Sequence, residues 1–408
     1  MRVFLHTFGC KANQADTERV RQAFTDQGST VVADPADADL AIVNSCTVTA
    51  ESEAKLRRYV RRLARDSSAN TIVMGCAAAL DDGRIAALPA VRAVVGGADP
   101  ATVLRAAGLE AGPVDPVLRQ FHASARGWLK IQDGCDEHCT FCATTLARGA
   151  NRSRPVAEIV AEARALAQHH AELVLTGVHI GTYGRDGDGG RGTGEGSSLG
   201  ELLEALIDAV PGVRFRLSSI EATEVDDRLA RLLIEAPRHL APHLHAPLQS
   251  GANAVLKRMG RHWYTAESYR ARIEWLAERL PVFGLGADVI AGFPGETAAQ
   301  HRATCALIEQ LPFTYLHVFP FSVRPDAPAA RLHNQVQPVE LNARARELRD
   351  LGTAKGAVYR ATRAGRRADG VVCGRQSGQV EVVTEDYLSL YLSTDAWDGA
   401  SRFEVTVT

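Results

Sequence analysis

Apolar and polar positions alternate with two periods along the first hundred residues. Val3–Phe8, Leu40–Ser45, Thr71–Gly75 and Val91–Gly96 are short apolar runs rich in β-branched residues and read as strands. Asp16–Asp26 and Ser52–Asp66 lie between them with helical spacing. Such βαβ alternation predicts a parallel sheet. A second series begins at Gly127. Its strands are Trp128–Gln132, Leu173–Thr176, Val213–Ser218, His243–Pro247, Leu285–Ile290 and Tyr315–Pro320. Helical runs follow at Pro155–His169, Leu199–Val210, Asp226–Glu235, Ala266–Arg279, Thr297–Leu311 and Pro338–Lys355. Six βα units predict a partial barrel, with active-site groups at the C-terminal strand ends. Residues 101–126 read as a linker, and the glycine-rich Gly184–Ser198 reads as a disordered surface insertion rather than a lid. After about Gly356 the pattern changes to Gly370–Cys373, Gln379–Val383, Tyr387–Leu392 and Phe403–Val407, a small all-β module. The expected fold class is α/β: a parallel-sheet domain over residues 1–122, a partial (β/α)6 barrel over 123–351 and an all-β module over 352–408.

The chain has 408 residues and 46% hydrophobic content, enough for two or three separately cored domains. No apolar run approaches the ~18 residues of a membrane span. Met1-Arg-Val-Phe-Leu-His-Thr-Phe reads as a strand and not as a signal peptide. Eight cysteines in a chain of this length do not make a disulfide framework, so a reducing, cytoplasmic setting is expected. The net charge of -2 gives nucleic-acid binding no global signature, so any RNA contact must come from local patches. Two are visible. Lys55, Arg58, Arg62 and Arg65 recur on one helical face, widened by Arg57 and Arg61. Lys355–Arg375 is strongly basic, and Arg360 and Arg363 are its candidate RNA contacts. In both cases the competing reading is an ordinary solvated charged face.

The most specific chemistry lies in Gly134-Cys-Asp-Glu-His-Cys-Thr-Phe-Cys, where Cys135, Cys139 and Cys142 are spaced C-x3-C-x2-C. Structural zinc takes four closed ligands, and here the fourth would have to be His138 or a distant residue. Three thiolates at short spacing also suit an iron-sulfur cube with one iron left free for a small molecule. Cys10, Cys46 and Cys76 each follow one of the first three strands, so a parallel sheet brings them to one edge. The alternative for them is three unrelated small core residues. Cys305 and Cys373 have no ligand pattern nearby and read as packing residues.

Cys135-x3-Cys139-x-Phe141-Cys142 on a first βα loop resembles the radical-SAM superfamily. Thr7-Phe-Gly-Cys10-Lys-Ala-Asn-Gln14, Val43-Asn-Ser-Cys46-Thr-Val-Thr49 and Met74-Gly-Cys76-Ala resemble the methylthiotransferase family. They are most like its branch acting on threonylcarbamoyladenosine in tRNA, with which Ala147-Arg148-Gly149 agrees. Asp386-Tyr-Leu-Ser-Leu-Tyr-Leu392 is similar to that family's RNA-binding TRAM domain. The resemblance implies two 4Fe-4S clusters, one on Cys135, Cys139 and Cys142 and one on Cys10, Cys46 and Cys76. It implies S-adenosylmethionine held near Phe141, Thr176, Gly177, Glu221, Gln249, Ser250 and Gly292. It also implies tRNA as substrate, a cellular electron donor such as a flavodoxin or ferredoxin, and a sulfur source that the sequence does not name. The implied reaction abstracts hydrogen from C2 of the modified adenine and joins methylated sulfur there, with no acid-base residue required. One departure is Ala143-Thr144-Thr145-Leu146, where the family usually carries two apolar residues, a proline and one further residue. Competing substrates are isopentenyladenosine in tRNA and a ribosomal-protein aspartate. Competing readings of the metal chemistry are a zinc-stabilised RNA-binding protein and an enzyme with a single cluster.

Overall fold

A computed structural model describes residues 1–186 and 198–408, so most of the glycine-rich insertion read from the sequence lies outside the described residues. The chain opens with β1 (Arg2–Thr7), α1 (Lys11–Asp26), β2 (Thr30–Val31), β3 (Leu40–Ser45) and α2 (Ala50–Asp66). It continues through β4 (Asn70–Gly75), the single turn α3 (Cys76–Ala79), β5 (Val91–Gly96) and α4 (Pro100–Ala106). The five strands pair in parallel in the order β2-β1-β3-β4-β5. Central β3 is buried along its whole length, as its continuous apolar run requires between helices on both faces. Thr49 caps α2, its Oγ1 accepting the Ser52 amide proton at 3.1 Å. Helix α1 begins five residues earlier than its periodicity suggests, because Asn13, Asp16, Thr17 and Glu18 turn polar side chains inward and hide the helical stripe. Helix α4 occupies the start of the expected linker, with Asp99 as its cap and proline at its first position.

The second unit contains β6 (Gly127–Lys130), β7 (Gln132–Asp133), α5 (Thr144–Arg148), β8 (Arg152–Ser153), α6 (Val156–Leu166), β9 (Glu172–Thr176) and α7 (Leu199–Ala209). It continues with β10 (Arg214–Leu217), α8 (Asp227–Glu235), β11 (His243–His245), α9 (Asn253–Arg258) and α10 (Ala266–Ala277). It closes with β12 (Gly284–Ala291), α11 (Ala298–Gln310) and β13 (Tyr315–Pro320). Parallel sheets β10-β9-β6 and β11-β12-β13 are joined by the bridges Phe215–Leu240 and Ser219–His245. The result is a six-stranded arc in chain order. No pairing closes β6 onto β13 among the described residues, so the barrel is partial.

Helix α12 (Pro338–Arg363) runs past the expected end at Lys355 directly into β14 (Arg367–Gln376). With β15 (Gln379–Val383), β16 (Ser389–Ser393) and β17 (Arg402–Thr406), β14 forms an antiparallel sheet ordered β16-β15-β14-β17. This corrects the reading of a basic RNA-binding arm. Arg363 is buried and ion-paired at 2.7 Å with both Glu385 and Asp386. Arg360 is half-buried and donates to the carbonyls of Ser389 and Thr408. Both fasten the helix to the β module, and the Arg363 charge is spent on buried carboxylates rather than offered to phosphate.

The β module seals the N-terminal end of the barrel. Arg214 and Arg216, two apart on β10 and fully buried, both ion-pair with buried Glu172 at the start of β9. Their remaining donors reach the carbonyls of Val383, Thr384 and Glu385. Tyr387 stacks on His243 with centroids 4.5 Å apart. A Cβ at Gly284 would stand 2.1 Å from the Asp386 carbonyl oxygen, so glycine is needed for the approach. A buried carboxylate between two buried guanidiniums persists only when every remaining donor is satisfied, and the module's backbone does that here.

Candidate active site

At the C-terminal strand ends, between the barrel and the N-terminal sheet, lies a cavity of about 370 Å³ lined by all six candidate ligand cysteines. Cys46 and Cys76 leave β3 and β4, and Cys10 begins α1 after β1. Cys10 and Cys76 both point at Asn13 Oδ1, at 3.5 and 3.8 Å. The turn before Cys76 depends on Gly75, at φ +93°, where a Cβ would stand 2.2 Å from Asn44 Oδ1. Gly134, before Cys135, has φ +72° and its Cβ would stand 1.8 Å from the Ala150 carbonyl oxygen. Both triads are therefore aimed by backbone turns that only glycine fits.

The spacing of the sulfurs discriminates between a single ion and a cluster. Two zinc-sulfur bonds of about 2.3 Å cannot span more than about 4.6 Å. Among the described residues, groups with ligand atoms within 4.8 Å of one another are His245/Asp288/His317 and His301/Cys305/Glu347, and neither cysteine triad is among them. In each triad at least one pair of sulfurs is therefore farther apart than a single zinc ion spans, which argues against one closed ion. His138, the nearby alternative zinc ligand, is exposed to solvent.

Each triad has a buried guanidinium beside it. Arg148 Nε donates to Cys76 Sγ at 3.2 Å, and Arg261 Nη1 donates to Cys139 Sγ at 3.6 Å. Burial pushes the Cys76 thiol up to about 11 and the Cys139 thiol up to about 12, with these arginines opposing the rise. A bound metal must supply the missing stabilisation of the thiolates. His179 bridges Cys135 Sγ, at 3.7 Å, and Glu224. Burial alone would lower its basicity, but the two hydrogen bonds prevail and raise it to about 10.

Phe141, Thr176, Gly177, Glu221 and Gln249 line the cavity. Glu221 Oε2 and Trp263 Nε1 are buried with no partner, one acceptor and one donor in the cavity wall. They suit a ligand carrying both ammonium and acceptor groups, as S-adenosylmethionine does. Gln249 has φ +59°, an uncommon left-handed conformation for a non-glycine residue at the base of the cavity. Two expected contacts are corrected. Ser250 is fully buried and spends its hydroxyl on Thr304 and the Ala252 amide. Gly292 donates to Glu296, and a Cβ there would meet Leu341 of α12, so its role is packing. Sequence reasoning missed Asn13, His179, Arg261 and Trp263. Of these only Asn13 had a signal, as the asparagine of the Cys10 motif.

Thr145, where the family usually has proline, is the second residue of α5, a position whose amide needs no helical acceptor. Its hydroxyl donates to the Glu137 carbonyl at 3.1 Å and pins the cluster loop. An adjoining apolar hollow of about 170 Å³ is lined by Val48, Phe141, Ile290, Phe319 and Phe321. Ionic contacts join the domains on both sides of the cavity: Lys130 and Arg148 with Asp16 on one, and Arg324 with Glu53, and by a hydrogen bond with Thr47, on the other. On the outer face of α2, Lys55, Arg58 and Arg62 surround Phe8 and Tyr59. Arg65 lies outside that patch and pairs with Asp66. Cys305 is buried and Cys373 half-buried, away from both triads.

An open α/β barrel with three thiols at its C-terminal mouth defines the radical-SAM class, and the comparisons agree. The radical SAM superfamily model matches residues 129–308, and uncharacterized protein family UPF0004 matches residues 2–96. The threonylcarbamoyladenosine tRNA methylthiotransferase MtaB of Bacillus subtilis is 37% identical over 85% of this chain and 79% of its own length. The same-named Thermotoga maritima protein is 38% identical over 82% and 78%. The tRNA-2-methylthio-N(6)-dimethylallyladenosine synthase of Zymomonas mobilis is 34% identical over 82% and 78%. In fold, the chain is similar to the radical S-adenosylmethionine methyltransferase TsrM of Kitasatospora setae, solved with cobalamin and a 4Fe-4S cluster bound. That match has TM-score 0.60 and 15% identity over 80% of this chain and 76% of that one. The chain belongs to the radical-SAM methylthiotransferase family. Within that family it falls in the branch of the MtaB-named relatives.

Proposed function

We propose that this protein is a radical-SAM methylthiotransferase that adds a methylthio group to C2 of N6-threonylcarbamoyladenosine in tRNA, next to the anticodon. The observation that carries this reading is the opening of two separate cysteine triads into one cavity. Four MtaB-named relatives at 31–38% identity support the threonylcarbamoyladenosine branch. Cys135, Cys139 and Cys142 hold one 4Fe-4S cluster, and Cys10, Cys46 and Cys76 hold the other. When bound, the clusters and S-adenosylmethionine supply the one-electron cleavage and the sulfur chemistry. Glu221 and Trp263 offer an acceptor and a donor to S-adenosylmethionine, with Thr176, Gly177 and Gln249 around it. Phe141 stands between the cavity and the apolar hollow, which is suited to receive a purine flipped out of its stack. The β module closes the N-terminal end of the barrel, leaving the C-terminal strand ends, where the cavity lies, for substrate entry.

Division at residues 1–122, 123–351 and 352–408 follows these roles, with the last a TRAM-like domain. Lys55, Arg58 and Arg62, beside Tyr59 and Phe8, are suited to tRNA phosphates and to stacking on exposed bases. A flavodoxin or ferredoxin fits as electron donor. No helix among the described residues is long and apolar enough to cross a membrane, and a cytoplasmic site of action fits a tRNA substrate. Nucleoside mass spectrometry of tRNA from a deletion strain tests the reading. Loss of the methylthio derivative with accumulation of threonylcarbamoyladenosine is expected. Unchanged methylthio-threonylcarbamoyladenosine, or loss of methylthio-isopentenyladenosine instead, contradicts it.

A further inference from the structure

The single-turn α5 spans the gap between the two triads. At its start the Thr144 amide donates to Cys142 Sγ at 3.3 Å, and at its end Arg148 Nε donates to Cys76 Sγ at 3.2 Å. Four residue steps of helix separate those ends by about 6 Å of rise. The Arg148 side chain is 8% exposed. Its other donors reach Asn13 Oδ1 at 2.7 Å, Asp16 at 2.9 Å and Asp133 at 2.8 Å. Asn13 Oδ1 is also the atom that the Cys10 and Cys76 thiols approach. One guanidinium carried by the barrel thus touches one thiol of the N-terminal triad directly and two through a shared acceptor.

The surrounding charges are balanced. Asp16 and Asp133 face Arg148 and Lys130, with Arg152 at the rim 4.0 Å from Asp133. Replacing Arg148 with a neutral residue removes a cationic donor from a ligand sulfur. It also leaves a buried carboxylate uncompensated beside the triad. Both changes disfavour added negative charge, and a cluster gains one negative charge on reduction. Hydrogen bonds to the sulfurs and local charge are principal determinants of cluster potentials.

From this geometry we infer that Arg148 is a positioning residue of the barrel that raises the reduction potential of the N-terminal cluster and fixes that triad relative to the barrel cluster. The inference rests on the two-cluster reading above. The test is an EPR-monitored redox titration of anaerobically reconstituted full-length protein, with iron content measured in parallel. Arg148→Gln shifts the N-terminal midpoint to more negative potential and leaves the Cys135 cluster where it was. Arg148→Lys, which keeps the charge without the fork, falls between. Asp16→Asn removes a negative charge without touching a thiol and shifts the midpoint positive. An Arg148→Gln protein with both clusters and an unmoved N-terminal midpoint overturns the inference. If Arg148→Gln loses that cluster, Asp16→Asn decides, and an unmoved midpoint there overturns it equally. A wild-type chain with one cluster would overturn the two-cluster reading instead, a separate and recognisable outcome.

Discussion

Arg261 joins Cys139 to Glu221: its guanidinium lies 3.6 Å from the sulfur and ion-pairs with the buried carboxylate, while its face lies over Trp263 at 4.8 Å. Burial raises the proton affinity of Glu221 and Arg261 opposes that rise. Replacing Arg261 with Gln leaves Glu221 buried and unpaired, at a cost of about 3–5 kcal/mol. Urea unfolding of the metal-free protein checks this. The double variant Arg261→Gln with Glu221→Gln is expected to be more stable than the single Arg261→Gln, because the stranded charge is gone.

His243 is fully buried between Tyr315 and Tyr387, and burial holds its basicity well below the ordinary range. Its folded-state pKa is depressed, so the unfolded chain binds the proton first as pH falls below about 6.5. Stability is therefore expected to fall between pH 7 and pH 5, with a contribution of at most about 1.4 kcal/mol per pH unit from this residue. Glu172 has its pKa lowered well below the usual carboxylate value because Arg214, Arg216 and Arg126 outweigh the cost of burial. Its contribution is complete above its unfolded value and persists until pH falls through the much lower folded value. The acid sensitivity near pH 6 thus belongs to histidine. Thermal midpoints against pH should flatten in His243→Asn and keep their slope in Glu172→Gln, which loses stability at every pH above that range.

Gly134→Ala places a methyl group 1.8 Å from a carbonyl oxygen at φ +72°. The conformational strain alone costs about 1–3 kcal/mol. The expected outcome is a loop that swings Cys135 away, seen as loss of the barrel cluster's iron while the N-terminal cluster is retained.

Arg58→Glu with Arg62→Glu is expected to weaken tRNA binding and make the slope of log affinity against log salt shallower by about 2. Filter binding at several salt concentrations measures it. Unchanged affinity and slope would remove α2 from the RNA interface.

Strand ends followed by cysteine were visible in the sequence because a strand pattern and a Gly-Cys turn are both local. The six βα units were legible for the same reason. What was hidden involves partners far apart in the chain. Arg363 reads as a surface charge until Glu385 and Asp386 close on it. Arg214 and Arg216 give no sign that Glu172 and the backbone of residues 383–385 await them. Helix α1 was shortened because its inward face carries Asn13, which lines the cavity, and Asp16, which pairs with Lys130 and Arg148 of the barrel, rather than core residues. Ser250 and Gly292 were placed correctly at strand ends, but periodicity does not tell which way a turn faces.

Iron content of the anaerobically reconstituted protein tests the shared two-triad cavity most directly. About eight irons per chain are expected, falling to about four when Cys10, Cys46 and Cys76 are replaced together with Ala, and likewise for Cys135, Cys139 and Cys142. About four irons in the wild type, unaltered by the N-terminal triple substitution, would contradict the account.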